Sequence, residues 1–313
     1  MLGDVHRAFP LARVQSRLLR RCAPRNDNRF LLSLRAWRSN LGRRGKATMA
    51  DHQIRFEDGA AYERTMGVWS RLAGDIFLDW VAPRPALRWI DVGCGNGAFT
   101  ELLCQRCAPA EVQGIDPSEG QLTYARARSA GGIAEFRQGG ATELPFPASC
   151  FDAAVMALVI FFIPDPSKGV AEMARVVRPG GIVAAYAWDM YGGGLPLHPM
   201  HTEMRAMGFN PPSPPSAGAS RMEALKELWS GAGLDAIVTR EIAVTRTFAD
   251  FEDFWTTSLT FSSMTSIIAS MSANELAQLK ERTRPLFPMD AAGRVTCTGR
   301  ANAVKGRVPE QKL

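Results

Sequence analysis

Long hydrophobic runs are missing from this chain. Its longest apolar stretch, Ala153 to Ile163, has 11 residues and ends at Pro164, too short to span a bilayer and suited to a buried strand. Residues 1–48 also lack a continuous apolar segment, so they do not form a secretory signal. Acids are scarce there, with 12 Lys and Arg against only Asp4 and Asp27. The rest of the chain carries 25 basic and 29 acidic residues, so the overall charge of +6 comes from the tail. A mildly acidic body argues against a polyanionic partner such as nucleic acid.

Metal-binding and disulfide patterns are missing too. The six cysteines (22, 94, 104, 107, 150 and 297) are scattered, as expected of reduced thiols in an intracellular, cytoplasmic protein. Cys104-Gln105-Arg106-Cys107 has no second Cys/His pair to complete a zinc site, and Cys107 falls on an apolar helix face, so packing outweighs chemistry. His198 and His201 stand at i, i+3 without a third ligand, and no metal is expected.

What is present divides the chain. The composition break at Met49 marks residues 1–48 as an extension outside the fold, either upstream of the working protein or a transit segment with an organellar destination. Residues 49–313 then form one domain: cap helices over 49–87, a core over 88–189, a substrate loop, helix and insertion over 190–292, and a closing strand and tail over 293–313. In the cap, Tyr62, Met66 and Trp69 follow helical spacing, and packing is favoured over lining the pocket mouth.

From Arg88 onward, strands and helices alternate. Strands are predicted at 88–92, 111–115, 133–137, 152–160 and 182–188, and helices at 97–107, 122–128 and 168–177, the last stopped by Arg178-Pro179-Gly180-Gly181. That order demands a doubly wound parallel sheet with its ligand at the carboxyl ends of the strands. Residues 190–220, with Gly192-Gly193-Gly194 and Pro211-Pro212-Ser213-Pro214-Pro215, read as a mobile loop region. Ser220-Arg221-Met222-Glu223 reads as a capping box opening a helix to Ala232. Strands at 235–247 and 294–304 flank a helical insertion over 250–285 and complete a seven-stranded α-β-α sandwich, Rossmann-like, with an antiparallel last strand.

The chemistry centres on Asp91-Val92-Gly93-Cys94-Gly95-Asn96-Gly97-Ala98. Gly93, Gly95 and Gly97 permit a tight turn and close backbone approach to a ligand, and the following helix offers free N–H groups. The same residues satisfy G-x-G-x-x-A, with Asp116 placed as a ribose-binding acid, so the loop alone leaves a dinucleotide open.

Together with Gly114-Ile115-Asp116-Pro117-Ser118, Leu144-Pro145-Phe146, Phe151-Asp152 and Arg175-Val176-Val177-Arg178-Pro179-Gly180-Gly181, that stretch resembles class I S-adenosylmethionine-dependent methyltransferases over residues 88–189. The flanks 56–80 and 293–310 resemble a bacterial small-molecule branch. The resemblance implies S-adenosyl-L-methionine as cofactor, methyl transfer to a small-molecule acceptor, and a binding set of Asp91, Gly93, Gly95, Gly97, Asp116, Gln121, Ala141 and Thr142. Asp91 would hold the amino-acid end, Asp116 both ribose hydroxyls, and Gln121 would stand against the adenine.

Two positions depart from the family pattern. Gly139-Gly140-Ala141 stands where many relatives read Gly-Asp-Ala, which implies altered adenine recognition through the backbone of Ala141 and Thr142. Phe161-Phe162 stands where His-His is common and makes that wall apolar. A sulfonium methyl is already activated, so positioning does most of the work and a base is optional. The base candidates are Asp189, Tyr191, His198 and His201. The rival readings are an NAD(P)-dependent oxidoreductase, a non-catalytic binding module motivated by Gly140, and an RNA methyltransferase resting on the basic tail. Phe251, Phe254, Trp255, Phe261 and Met264 suit either a partly hydrophobic acceptor or helical core packing.

Overall fold

The computed structural model describes residues 63–129 and 132–310. The extension 1–48 and Tyr62 lie outside the described residues. A π-helical turn, Glu63–Gly67, leads into α1 (Val68–Val81). Then come β1 (Arg88–Val92), α2 (Ala98–Cys107), β2 (Glu111–Asp116), α3 (Glu119–Arg128), β3 (Ala134–Gln138) and β4 (Phe151–Ala157). They are followed by α4 (Pro166–Val176), β5 (Val177–Trp188), α5 (His198–Ala206), α6 (Met222–Gly231) and β6 (Asp235–Phe248). Helices α7 (Phe251–Leu259), α8 (Ser262–Ser270) and α9 (Ala273–Thr283) form the insertion before β7 (Val295–Arg307).

The sheet has seven strands in the order β3-β2-β1-β4-β5-β7-β6. Strands β1 to β5 pair in parallel, while β7 runs antiparallel to both β5 and β6. Because β1 and β4 are covered on both faces, their residues are almost continuously buried, as their unbroken apolar runs require.

Helix α1 shows how the cap is fixed. Trp69, Ala73 and Phe77 repeat at helical spacing and are fully buried. Trp69 meets Trp188 edge-on at 6.2 Å, Phe77 lies 4.8 Å from Tyr186, and the Tyr186 hydroxyl donates to the Ser70 carbonyl at 3.0 Å. Trp69 is therefore a packing residue. Burying aromatics of this size contributes about 2–3 kcal/mol each at the usual 25 cal/mol per Å², enough to anchor α1 on the sheet.

Four local expectations are corrected. β4 ends at Ala157 rather than residue 160: Leu158 takes φ +61° and the chain turns into a 3-10 segment, Ile160–Phe162. β5 starts directly at Val177, with residues 178–181 bulging between the pairs Phe151–Val177 and Ala153–Ile182; Gly180 at φ +74° turns the bulge. Residues 190–220 contain a packed element, since α5 buries Met200 and Met204 completely, with Pro199 in its first turn as a helix starter. Ser220 caps no helix. Its hydroxyl donates to the Ala217 carbonyl at 2.7 Å and accepts from Met190 N–H at 3.2 Å, and Arg221 is the N-cap of α6. The reciprocal capping box is at Ser272 and Glu275.

Cys94, Cys104, Cys107 and Cys297 are free thiols. Burial pushes the Cys104 thiol up to about 11 and Cys297 to about 12, away from thiolate chemistry. Among the described residues no group of His, Cys, Asp and Glu could hold a metal ion, and no helix is long and apolar enough to cross a membrane.

Candidate active site

The site grows out of the β1 carboxyl end. Gly93 and Cys94 both donate their N–H to the Ile115 carbonyl, at 2.7 and 3.0 Å, which folds the chain sharply against β2. The three glycines have φ of +77°, +53° and +79°. They serve different ends. A Cβ on Gly93 would lie 2.5 Å from the Val159 side chain, and one on Gly97 would lie 3.1 Å from Ala125, so these two permit close packing. A Cβ on Gly95 meets nothing within 4 Å. Gly95 instead keeps open space beside the turn.

Two carboxylates are brought to this turn. Asp116 ends β2, with Oδ2 accepting from Gly95 N–H at 3.0 Å and Oδ1 from Ser118 N–H at 2.8 Å. Burial raises its pKa, and the two backbone donors work against that rise. Each oxygen keeps a further lone pair for a ligand hydroxyl. Asp91, within β1, is fully buried, and its Oδ2 accepts from the Thr100 hydroxyl at 2.6 Å. Among the described residues Asp91 Oδ1 has no hydrogen-bond partner. Burial pushes this carboxyl up to about 7, the Thr100 hydrogen bond opposes the rise, and the nearby Asp116 charge adds to it.

The remaining members of the expected binding set lie around these two. Gln121 is buried in the first turn of α3, its N–H donating to the Ser118 hydroxyl at 3.3 Å. The loop of Gly139 to Thr142 hangs from Asp116, whose carbonyl accepts Gly139 N–H at 3.1 Å, with Ala141 and Thr142 half-buried. A Cβ on Gly140 would meet nothing within 4 Å. Phe161 and Phe162 meet edge to face at 4.7 Å beyond β4.

The base candidates separate clearly. Asp189 is held by Arg300 at 3.0 Å and also accepts Gly192 N–H at 2.8 Å, so it braces the turn after β5. Tyr191 is exposed with Arg221 stacked 4.2 Å over its ring. His198 opens α5 and packs against Gly193. His201 is buried on α5 with Nε2 unpartnered among the described residues, and burial, with Arg205 and His198 nearby, lowers its pKa to about 4.

Sequence reading missed Thr100 and Arg128. Thr100 lies in the first turn of α2, and its signal is positional: a hydroxyl nine residues after an acid whose strand feeds that helix. Arg128 donates to the Asn96 carbonyl at 3.2 Å and to Glu101 at 2.9 Å, clamping α3 to the glycine turn.

The strand order decides between the two cofactor folds. A classic dinucleotide sheet runs 3-2-1-4-5-6 with all strands parallel, whereas here antiparallel β7 is inserted between β5 and β6. A methyltransferase-domain family matches residues 90–185. Over those residues the chain is similar to that family.

Both curated proteins and solved structures resemble the chain. Demethylmenaquinone methyltransferase of Desulfitobacterium hafniense (strain Y51) is 37% identical over 110 residues, covering 34% of this chain and 44% of the relative. Nocamycin O-methyltransferase of Saccharothrix syringae is 30% identical over 195 residues, covering 59% and 60%. The chain thus spans about half the length of these curated relatives. Among solved structures, the YcgJ protein of Bacillus subtilis aligns with TM-score 0.51 at 17% identity, covering 76% of this chain and 98% of that one. Phosphoethanolamine N-methyltransferase 2 of Haemonchus contortus, solved with phosphomonomethylethanolamine and S-adenosylhomocysteine, aligns with TM-score 0.51 at 16% identity, covering 85% and 62%. At these identities the structures speak for the fold.

Proposed function

We propose that the chain transfers a methyl group from S-adenosyl-L-methionine to a small-molecule acceptor by in-line displacement. The observation that carries this reading is the pairing of Asp91 and Asp116 at one glycine turn, with Asp91 Oδ1 buried and unpartnered among the described residues. The residues fit the group. Asp91 Oδ1 would accept from its ammonium, the open face at Gly95 admits its backbone-hugging chain, and the spare lone pairs of Asp116 suit two adjacent ribose hydroxyls. When bound, the sulfonium supplies an already activated methyl carbon.

The protein's share is then orientation and exclusion of water. Phe161 and Phe162 make the wall after β4 apolar. Trp188, at the end of β5, is locked by its N–H to Met66 Sδ at 3.3 Å and by Trp69. The relatives' names, which include quinone methyltransferases and an O-methyltransferase, support an oxygenated ring compound as the acceptor class. The free cysteines support a reducing, cytoplasmic setting.

The test is methyl transfer from isotope-labelled S-adenosyl-L-methionine to a panel of phenols and hydroquinones. Labelled product with at least one member supports the reading; hydride transfer from NADH by the same protein contradicts it.

A further inference from the structure

The loop over residues 139–146 is pinned at both ends. At its start the Asp116 carbonyl accepts Gly139 N–H at 3.1 Å. A Cβ on Gly139 would lie 3.2 Å from Ile115 and 3.8 Å from Pro145 Cδ, so the far end of the loop returns to its beginning. Between them Glu143 N–H donates to the Gly140 carbonyl at 3.3 Å.

Helix α4 holds the far end. Glu172 Oε2 accepts Leu144 N–H at 2.8 Å. Arg175 donates to the Leu144 carbonyl at 3.1 Å and to the Phe146 carbonyl at 2.8 Å. The two side chains also bond to each other, at 2.6 and 2.8 Å. One turn earlier, a Cβ on Gly169 would lie 3.9 Å from Ala141 Cβ. Gly169, Glu172 and Arg175 recur every third residue and share one helix face, which backs the loop at residues 141, 144 and 146.

The side chains of Glu172 and Arg175 are 18% and 37% exposed, so their charge pairing by itself adds little stability. What they add is position. The planar guanidinium reaches two carbonyls at once, as an ammonium does not. Burial raises the Glu172 carboxyl, but the bonds from Arg175 and Leu144 outweigh it and hold the group below its usual value, so the clamp is ionised at neutral pH. Gly140 brings no side chain to the loop, which leaves its backbone to read a ligand. Such bonds are lost once donor and acceptor stand more than about 3.5 Å apart.

We propose that Glu172 and Arg175 are positioning residues for nucleobase selectivity, holding the backbone of Ala141 and Thr142 where it distinguishes adenine from other bases. This rests on the methyl-transfer reading, in which Asp116 holds the ribose and the base lies beside the loop that starts from its carbonyl.

The test is isothermal titration of the full chain with S-adenosylhomocysteine and with S-inosylhomocysteine, whose base has a carbonyl in place of the amino group and N–H in place of the ring acceptor. Wild type is expected to prefer the adenine ligand by about tenfold or more, the scale of mismatched buried hydrogen bonds. Glu172→Ala and Arg175→Lys should each cut that preference about threefold or more, leaving affinity for S-inosylhomocysteine unchanged. Arg175→Lys keeps the charge beside Glu172, so it carries the test if Glu172→Ala does not fold. An undiminished preference in either folded variant, an equal loss of both ligands, or no preference in wild type overturns the inference. A folded wild type that binds neither ligand overturns the underlying reading instead.

Discussion

The Thr100 hydroxyl donates to Asp91 Oδ2 at 2.6 Å and satisfies one oxygen of a fully buried carboxylate whose other oxygen has no partner among the described residues. On the proposed reading, this asymmetry would suit Asp91 to a cationic ligand without leaving it wholly unsupported. Thr100→Val removes the donor at nearly constant volume and leaves both oxygens unmet. It should cost about 1–3 kcal/mol of stability in urea titration, the penalty for an orphaned buried polar group, and Thr100→Ser should recover most of it.

Asp91 also sets a pH dependence. Its folded pKa of about 7 lies above the unfolded value of about 3.9, so between those values the native state binds the extra proton. Stability of the ligand-free protein from this group is greatest at low pH and is lost as pH rises through about 7. An ammonium-bearing ligand has the opposite preference, for the ionised carboxylate. S-adenosylhomocysteine affinity should therefore rise from pH 5.5 to 8 with proton release, detectable by calorimetry in buffers of different ionisation enthalpy. Asp91→Asn should abolish both slopes.

The glycines of the turn should separate by experiment. Gly93→Ala combines a left-handed backbone with a Cβ 2.5 Å from Val159, so strain and overpacking together should cost about 2–5 kcal/mol. Gly95→Ala meets no protein atom and should cost only the backbone penalty of about 1–2 kcal/mol. Its larger effect should be on ligand affinity, because the methyl enters the open face. Thermal denaturation and calorimetry on both variants check the split.

The succession of strands and helices, the glycine turn and the acid ending β2 were legible in the sequence because each is a local pattern: an apolar run, a small-residue triplet, an acid at a strand end. The elements misjudged depend on tertiary contacts. Ser220 looks like a helix cap until Met190 and Ala217 claim its hydroxyl. α5 is hidden by the glycines and prolines around it, although Met200 and Met204 pack into the core. Thr100 and Arg128 carry no motif. Their roles arise only once α2 and α3 lie beside the glycine turn.

Gly140 offers a gain-of-function test. A Cβ there meets nothing within 4 Å, so Gly140→Asp should shift stability by no more than about 0.5 kcal/mol, as for other unencumbered surface sites. On the proposed reading, the added carboxylate would supply an adenine acceptor at this loop, and S-adenosylhomocysteine affinity should rise severalfold. An unchanged affinity would place the adenine away from the loop of Gly139 to Thr142.

The most direct measurement is isothermal titration of the full chain with S-adenosylhomocysteine and, separately, with NADH. Saturable one-site binding of S-adenosylhomocysteine, weakened at least tenfold by Asp116→Ala, with no NADH binding, is the predicted result. Tight NADH binding with none of S-adenosylhomocysteine would contradict the assignment of the glycine turn, Asp91 and Asp116 to a methyl-donor cofactor.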